Sequence, residues 1–207
     1  MAGRCLCGVI VEESRRVCNI FGAVRLHVTD THWLARTRRV RSPNADARSP
    51  GARIELVVLH CISLPPGQFG TGCVEALFSN TLDCQSHPAL EDLQGVCVSA
   101  HVLIDRRGRA TQFVPFDERA WHAGVSAWRG RSSCNDFSIG IELEGTETRR
   151  YTEAQYGRLK RVLSALVARY PELGRDRIVG HSEIAPGRKT DPGPAFDWRR
   201  VLKDVPV

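Results

Sequence analysis

The chain has 207 residues, with 29 Lys+Arg against 23 Asp+Glu, a net charge of +6 and a pI near 9.1. That length allows one domain or at most two small ones, and 42% hydrophobic residues supply an ordinary core, which argues against wholesale disorder. Residues 1–53 hold ten Arg and four acidic residues and so carry the whole excess, whereas residues 54–207 balance 19 basic against 19 acidic groups. The main reason to propose a basic, phosphate-binding face is thereby removed, and no nucleic-acid partner is expected.

No run approaches the ~18 apolar residues of a membrane helix, so no membrane partner is expected either. The opening MAGRCLCGVIVEESRRVC has a short apolar run stopped by Glu12 and Glu13, with no small-residue cleavage site after it. With eight Cys and no secretion signal, reduced thiols in a cytoplasm are the expectation. The pair Cys5 and Cys7 lacks the second pair that a zinc site would need. Only three Lys are present, Lys160, Lys189 and Lys203; each is of interest because Lys can give up its proton and Arg cannot.

Residues 1–28 show no clean period and read as an N-terminal extension, disordered or a misassigned start. Residues 29–53 read as an Arg-rich lead-in, with turn signals at Ser42-Pro43-Asn44 and Ser49-Pro50-Gly51. Leu56–Ile62 is a β-branched apolar run, as expected of a buried strand. Residues 63–96 form a long excursion with a short helix expected near Val74–Phe78. Cys97–Ile104 and Ala110–Val114 flank the turn Arg106-Arg107-Gly108 and predict a hairpin, and Ser138–Leu143 predicts a further strand. Thr152 opens a helix with Gln155 in capping-box position, and Tyr156, Leu159, Val162, Leu163, Leu166, Val167 and Tyr170 form its apolar face. Pro171 and Gly174 end that helix, and Arg177–Gly180 is a last short strand. The fold class that follows is α/β (α+β): one domain over 54–200, a central mixed sheet flanked by helices, with 201–207 as a tail.

Three polar groups stand in or just after apolar strands: His60, Glu142 and His181. Burying an imidazole or carboxylate without a partner is costly, and strand ends in α/β folds are where sites gather. His181 and Asp191 are ten residues apart, with Pro and Gly fixing the loop between them. Two His and one carboxylate satisfy a catalytic zinc site, and His60 completes that count. The alternative for Asp191 is a turn-forming Asp before Pro. Lys189, two residues before Asp191, is suited to stabilising an oxyanion, and Glu142 to general acid–base work. Period 2 puts Gly140, Glu142 and Glu144 on one face of their strand; Glu144, nearer the end, is expected to be solvated.

At these residues the chain resembles the AmpD group of zinc N-acetylmuramoyl-L-alanine amidases. The resemblance is carried by Val57-Val58-Leu59-His60, Ile62 to Gly70, Val98-Ser99-Ala100-His101 and Phe116. It continues through Trp121-His122-Ala123-Gly124, Cys134 to Gly145, Gly180-His181 and Lys189 to Trp198. It implies an amidase-2 fold shared with peptidoglycan recognition proteins, and zinc held by His60, His181 and Asp191. It also implies Glu142 and Lys189 as the catalytic pair, with a small muropeptide as substrate. The bond cut would join the lactyl group of anhydro-N-acetylmuramic acid to L-alanine, in the cytoplasm, during peptidoglycan recycling. Trp121, His122, Asn135 and Arg188 are the substrate-binding candidates, and His101 is a supporting residue rather than a ligand.

Three positions depart from the family pattern. Cys61 stands where Asn is usual, and Cys97 and Ser133 stand where basic residues often do, so the grip on the stem peptide is expected to differ. The competing readings are a periplasmic amidase acting on intact murein, a muropeptide-binding module without catalysis, and a thiol amidase using Cys134.

Overall fold

The computed structural model describes residues 25–205. Its strands are β1 (Arg38–Arg39), β2 (Ala45–Ala47), β3 (Leu56–Ile62), β4 (Val102–Ile104), β5 (Ala110–Gln112), β6 (Glu118–Ala120), β7 (Ala127–Trp128), β8 (Arg131–Ser132), β9 (Ser138–Glu144) and β10 (Ile178–Gly180). The helices are α1 (Cys73–Phe78), α2 (Glu153–Arg169), α3 (His181–Ile184) and α4 (Trp198–Leu202). Six strands form one sheet in the order β1-β5-β4-β9-β3-β10. Only the β4–β5 hairpin is antiparallel in it; the other neighbours run parallel.

β3 and β9 form the centre, and both are buried on both faces, as parallel strands covered on two sides must be. Val57, Leu59, Ile139, Ile141 and Leu143 face the main core with Leu159, Val162, Leu163 and Leu166 of α2. Leu56 and Val58 face the other way, into a smaller cluster with Cys134, Phe137 and Val179. The β3–β9 register sets Val58 beside Gly140 and His60 beside Glu142. Alternation along the two strands thus separates core residues from site residues.

The capping box read at Thr152 is present: Gln155 N–H donates to Thr152 Oγ1 at 3.1 Å, and Thr152 N–H to Gln155 Oε1 at 3.1 Å. The same Gln155 is fully buried and donates through Nε2 to Glu144 O and Ile104 O, which docks the helix start on the ends of β9 and β4.

Some expectations change in extent. The strand expected over Cys97–Ile104 is a ladder only from Val102. The reason is local: the Gly140 amide donates to the His101 ring at Nδ1 rather than to a neighbouring strand. The short strands β1, β2 and β6 to β8 and the helices α3 and α4 were not read from the sequence. They span two to five residues, too few to show a period.

The Arg-rich lead-in is built into the domain. Leu34 is fully buried in the main core, and its amide donates to Gln112 Oε1 at 2.6 Å. β1 pairs with β5 and β2 with β6. Arg38, Arg41 and Arg53 pair with Glu75, Glu118 and Glu172 of the charge-balanced part. Val201 and Val205 are buried in the main core, so the tail packs as far as it is described. The extension expected over residues 1–28 lies, up to residue 24, outside the described residues.

Glu144 requires a correction. It is buried, not solvated: its carboxylate accepts from Gly70 N–H at 2.5 Å and from Arg106 N–H at 3.0 Å. The 63–72 loop and the β4–β5 turn close over the end of β9 and use this carboxylate as their anchor. A Glu144→Ala variant should lose about 1.5–3 kcal/mol of stability, since both bonds are to a charged acceptor. Chemical denaturation checks this, and hydrogen exchange should speed up at the Gly70 and Arg106 amides; wild-type stability would remove the anchoring role.

Candidate metal centre and active site

β9, β3 and β10 are adjacent and parallel, so their carboxyl ends open on the same side. Gly180 lies beside Leu59 in register, which brings His181, the first residue after β10, next to His60. Asp191 arrives on the loop after α3, where its carbonyl accepts from Ser182 N–H at 3.0 Å. His60 Nδ1 is 2.9 Å from His181 Nδ1 and 3.2 Å from Asp191 Oδ2, and His181 Nδ1 is 3.2 Å from Asp191 Oδ1. All three side chains are buried.

The state of each group follows from its surroundings. Burial holds His60 neutral and lowers its pKa to about 4. Burial pushes the Asp191 carboxyl upward, but contacts from His181 and His60 outweigh it and hold it below the usual range. His181 Nε2 faces Ala123 O at 3.1 Å. A carbonyl only accepts, so that nitrogen donates to it, and the ring turns Nδ1 towards Asp191. Two ring nitrogens and an ionised carboxylate converge within 4.8 Å, and a cation is the group that such a donor set attracts.

Glu142 lies beside His60 in register and is buried. Its Oε2 has no hydrogen-bond partner among the described residues. Burial raises its pKa well above the usual carboxylate range; the charge of Asp191 adds to this and that of Lys189 opposes it. A carboxyl in that state can hold a proton near neutral pH. Lys189 is exposed and lines the same cleft, of about 220 Å³, as Glu142 and the His/His/Asp set. Ile62, Phe78, Val98 and Trp121 give the cleft an apolar wall.

The four substrate-binding candidates are placed differently from one another. Trp121 lines the cleft. His122 also lines it, but its ring serves the centre: Nδ1 is 2.9 Å from His60 Nε2, and Nε2 is 3.1 Å from Ser138 Oγ. Asn135 Oδ1 accepts from the His122 and Ala123 amides at 3.2 and 2.8 Å, so it shapes the 121–124 loop. Arg188 donates to Ala123 O at 2.6 Å and Val125 O at 2.7 Å, which ties that loop to the one carrying Asp191. His101 is fully buried, with Nδ1 accepting from Gly140 and Nε2 against Glu118 O; it is not in the donor set. Cys61 lines the cleft as a thiol that burial pushes up to about 12. Cys134 lies in the small core cluster, and burial raises its pKa too, which leaves the thiol-amidase reading without an activated nucleophile. Two contributors escaped the sequence reading: the Ala123 carbonyl, invisible in side-chain patterns, and Ser138, one serine at the start of an apolar strand.

A His/His/Asp donor set at parallel strand ends, with a buried carboxyl and a lysine in one cleft, defines the class: a hydrolase with a candidate metal position. The family profile described as N-acetylmuramoyl-L-alanine amidase (Amidase_2) matches residues 50–194, and the chain belongs to that family. It is 55% identical over 171 residues to the 1,6-anhydro-N-acetylmuramyl-L-alanine amidase AmpD of Citrobacter freundii, covering 83% of this chain and 91% of that protein. A crystal structure of a selenomethionine AmpD derivative superposes with a TM-score of 0.82 at 54% identity, over 84% of this chain and 97% of that one. A second structure is the Escherichia coli amidase AmiD in complex with anhydro-N-acetylmuramic acid-L-Ala-D-γ-Glu-L-Lys. It matches at 31% identity and a TM-score of 0.54, over 75% of this chain and 60% of that one.

Two predictions follow from this geometry. A Cβ on Gly140 would lie 2.4 Å from His122 Cγ, so Gly140→Ala must displace the ring that supports His60. Activity should fall at least tenfold, measured per folded molecule, with metal affinity falling in parallel. The second concerns acid. His60, His101 and His122 all have pKa values depressed by burial, to about 4 for His60 and about 3 for His101. Their stabilising contribution is present above the unfolded value near 6.5 and is lost as pH falls through the folded values. Glu142, with a raised pKa, works in the opposite direction but is outnumbered. The metal-free protein should therefore lose stability from pH 6.5 towards 4, by up to about 1.4 kcal/mol per pH unit for each excess proton. Melting curves across that range check it, and a flat profile would contradict the neutral imidazoles.

Proposed function

We propose that the protein is a zinc-dependent amidase that hydrolyses the bond between the lactyl group of anhydro-N-acetylmuramic acid and L-alanine of the stem peptide. The reading includes a cytoplasmic location and a place in peptidoglycan recycling. The observation that carries it is the convergence of His60 Nδ1, His181 Nδ1 and the Asp191 carboxylate beside the buried carboxyl of Glu142. Family membership and the relatives' named activity support the substrate class.

In this reading His60, His181 and Asp191 hold the zinc ion. When bound, zinc would polarise the scissile carbonyl and lower the pKa of a bound water towards ~7. The chain's own residues do the rest. Glu142, whose carboxylate is made a stronger base by its dry position, takes a proton from the attacking water and returns it to the leaving amine of L-alanine. Lys189, a fixed positive charge on the cleft, stabilises the oxygen that becomes negative as the carbonyl turns tetrahedral. Trp121 and the apolar wall lay the substrate along the cleft and displace water from it.

Removing metal with a chelator should abolish release of peptide from anhydro-muropeptide, and zinc should restore it; full activity in the chelator would contradict the metal reading. Glu142→Gln should keep zinc binding and lose turnover by about 10²–10⁴-fold, the usual span of a general acid–base contribution. Wild-type turnover in that variant would remove Glu142 from the reaction. Comparing products by mass from anhydro-muropeptide and from intact sacculi tests the substrate, and release only from sacculi would favour the periplasmic reading.

A further inference from the structure

Arg48 carries its charge into the protein with no carboxylate in hydrogen-bond contact, Asp117 and Asp136 acting on it only from longer range. Its five N–H donors all go to backbone carbonyls. Nε donates to Phe116 O at 3.2 Å, Nη1 to Asn135 O and Asp136 O at 3.0 Å each, and Nη2 to Phe116 O at 3.1 Å and Ser138 O at 2.7 Å. None of these partners is a carboxylate. His101 Nε2, 3.2 Å from Nη2, is not an acceptor: its Nδ1 already accepts from Gly140 N–H, so in the neutral ring Nε2 carries the proton, towards Glu118 O. The desolvation is strong enough to lower the Arg48 pKa to about 10. A guanidinium placed at that cost holds geometry, because its planar fork fixes several acceptors at once where Lys could fix three at most.

Two of the gripped carbonyls belong to the residues whose side chains hold His122. Asn135 accepts the His122 amide on Oδ1, and Ser138 faces His122 Nε2 through Oγ. His122 Nδ1 in turn meets His60 Nε2.

We propose that Arg48 is a positioning residue for the hydrolytic centre. By clamping residues 135–138 it sets His122, and His122 in turn fixes the ring orientation in which His60 turns Nδ1 towards His181 and Asp191. The chain of contacts runs Arg48, Ser138 and Asn135, His122, His60, and Arg48 touches neither the donor set nor the cleft. The inference rests on the amidase reading for its consequence in turnover, but not for its consequence in the position of the His60 ring.

The test compares wild type with Arg48→Lys, which keeps the charge and loses the fork. Crystal structures of the metal-free proteins should show the His122 and His60 rings in a single position in wild type and displaced, or in two orientations, in the variant. Zinc affinity should weaken about 10–100-fold, and kcat on anhydro-muropeptide should fall about tenfold or more while KM stays within about twofold. A variant that melts lower but keeps the wild-type ring positions and zinc affinity would overturn the proposal, since Arg48 would then be structural only. If Arg48→Lys does not fold, Ser138→Ala cuts the same relay one step later; it should displace the His122 and His60 rings in the same way, and wild-type ring positions would equally overturn the proposal. Should wild type itself bind no zinc, the metal reading fails, and the comparison of ring positions still decides the role of Arg48.

Discussion

Everything at the centre depends on two imidazole rings with their Nδ1 atoms turned towards one another and towards a carboxylate. Two ring nitrogens 2.9 Å apart and a carboxylate at 3.2 Å crowd one point, so the arrangement must be enforced from behind. Each ring is enforced by a different device. His181 is held through Nε2 by a backbone carbonyl, and that carbonyl is itself fixed by Arg188. His60 is held through Nε2 by a second imidazole, which rests on Ser138.

The sheet makes these devices cheap. The β9–β3–β10 ladder places Glu142, His60 and His181 by register alone, with no long side chain needed to bridge strands. The apolar alternate residues of the same strands lock that register, since a slip of one residue would move Leu59 and Ile141 out of the core and His60 into it. Burial then does the electrostatic work. It keeps His60 and His122 neutral and raises the Glu142 carboxyl, so one low-dielectric floor prepares both the ligands and the neighbouring acid–base group.

The central strands, the main helix with its cap and His60, Glu142 and His181 were legible because each follows from a strong local signal, whereas Asp191 stood on its spacing from His181 and on the family resemblance. Those signals are β-branched runs, a 3.6-residue apolar period, and polar groups interrupting apolar strands. What was not legible depends on contacts between distant segments. Glu144 has the same period-2 signal as Glu142, yet one binds two amides from loops 74 and 38 residues away and the other faces the cleft. Nothing in the local sequence separates them. Arg48 looks like one arginine in a basic lead-in, and its partners become visible only when residues 116 and 135–138 fold against it. The same holds for part of Asn135 and Arg188: the fold gives Asn135 Oδ1 and the Arg188 Nε and Nη2 atoms to the loop that carries Ala123 and Val125.

The basic excess takes on a different meaning in this light. Three lead-in arginines meet glutamates of the charge-balanced part on the surface, where each pair contributes little to stability. A fourth, Arg48, goes inward and meets only carbonyl dipoles. The inward one matters most for the site, because four carbonyls that would otherwise need other donors are gathered on one rigid fork, and two of them belong to the residues supporting His122. Replacing such a group by an apolar side chain would strand those carbonyls as well as remove a charge. The lead-in is therefore part of the machinery: the segment that holds four of the six excess charges also supplies the clamp beneath the imidazoles.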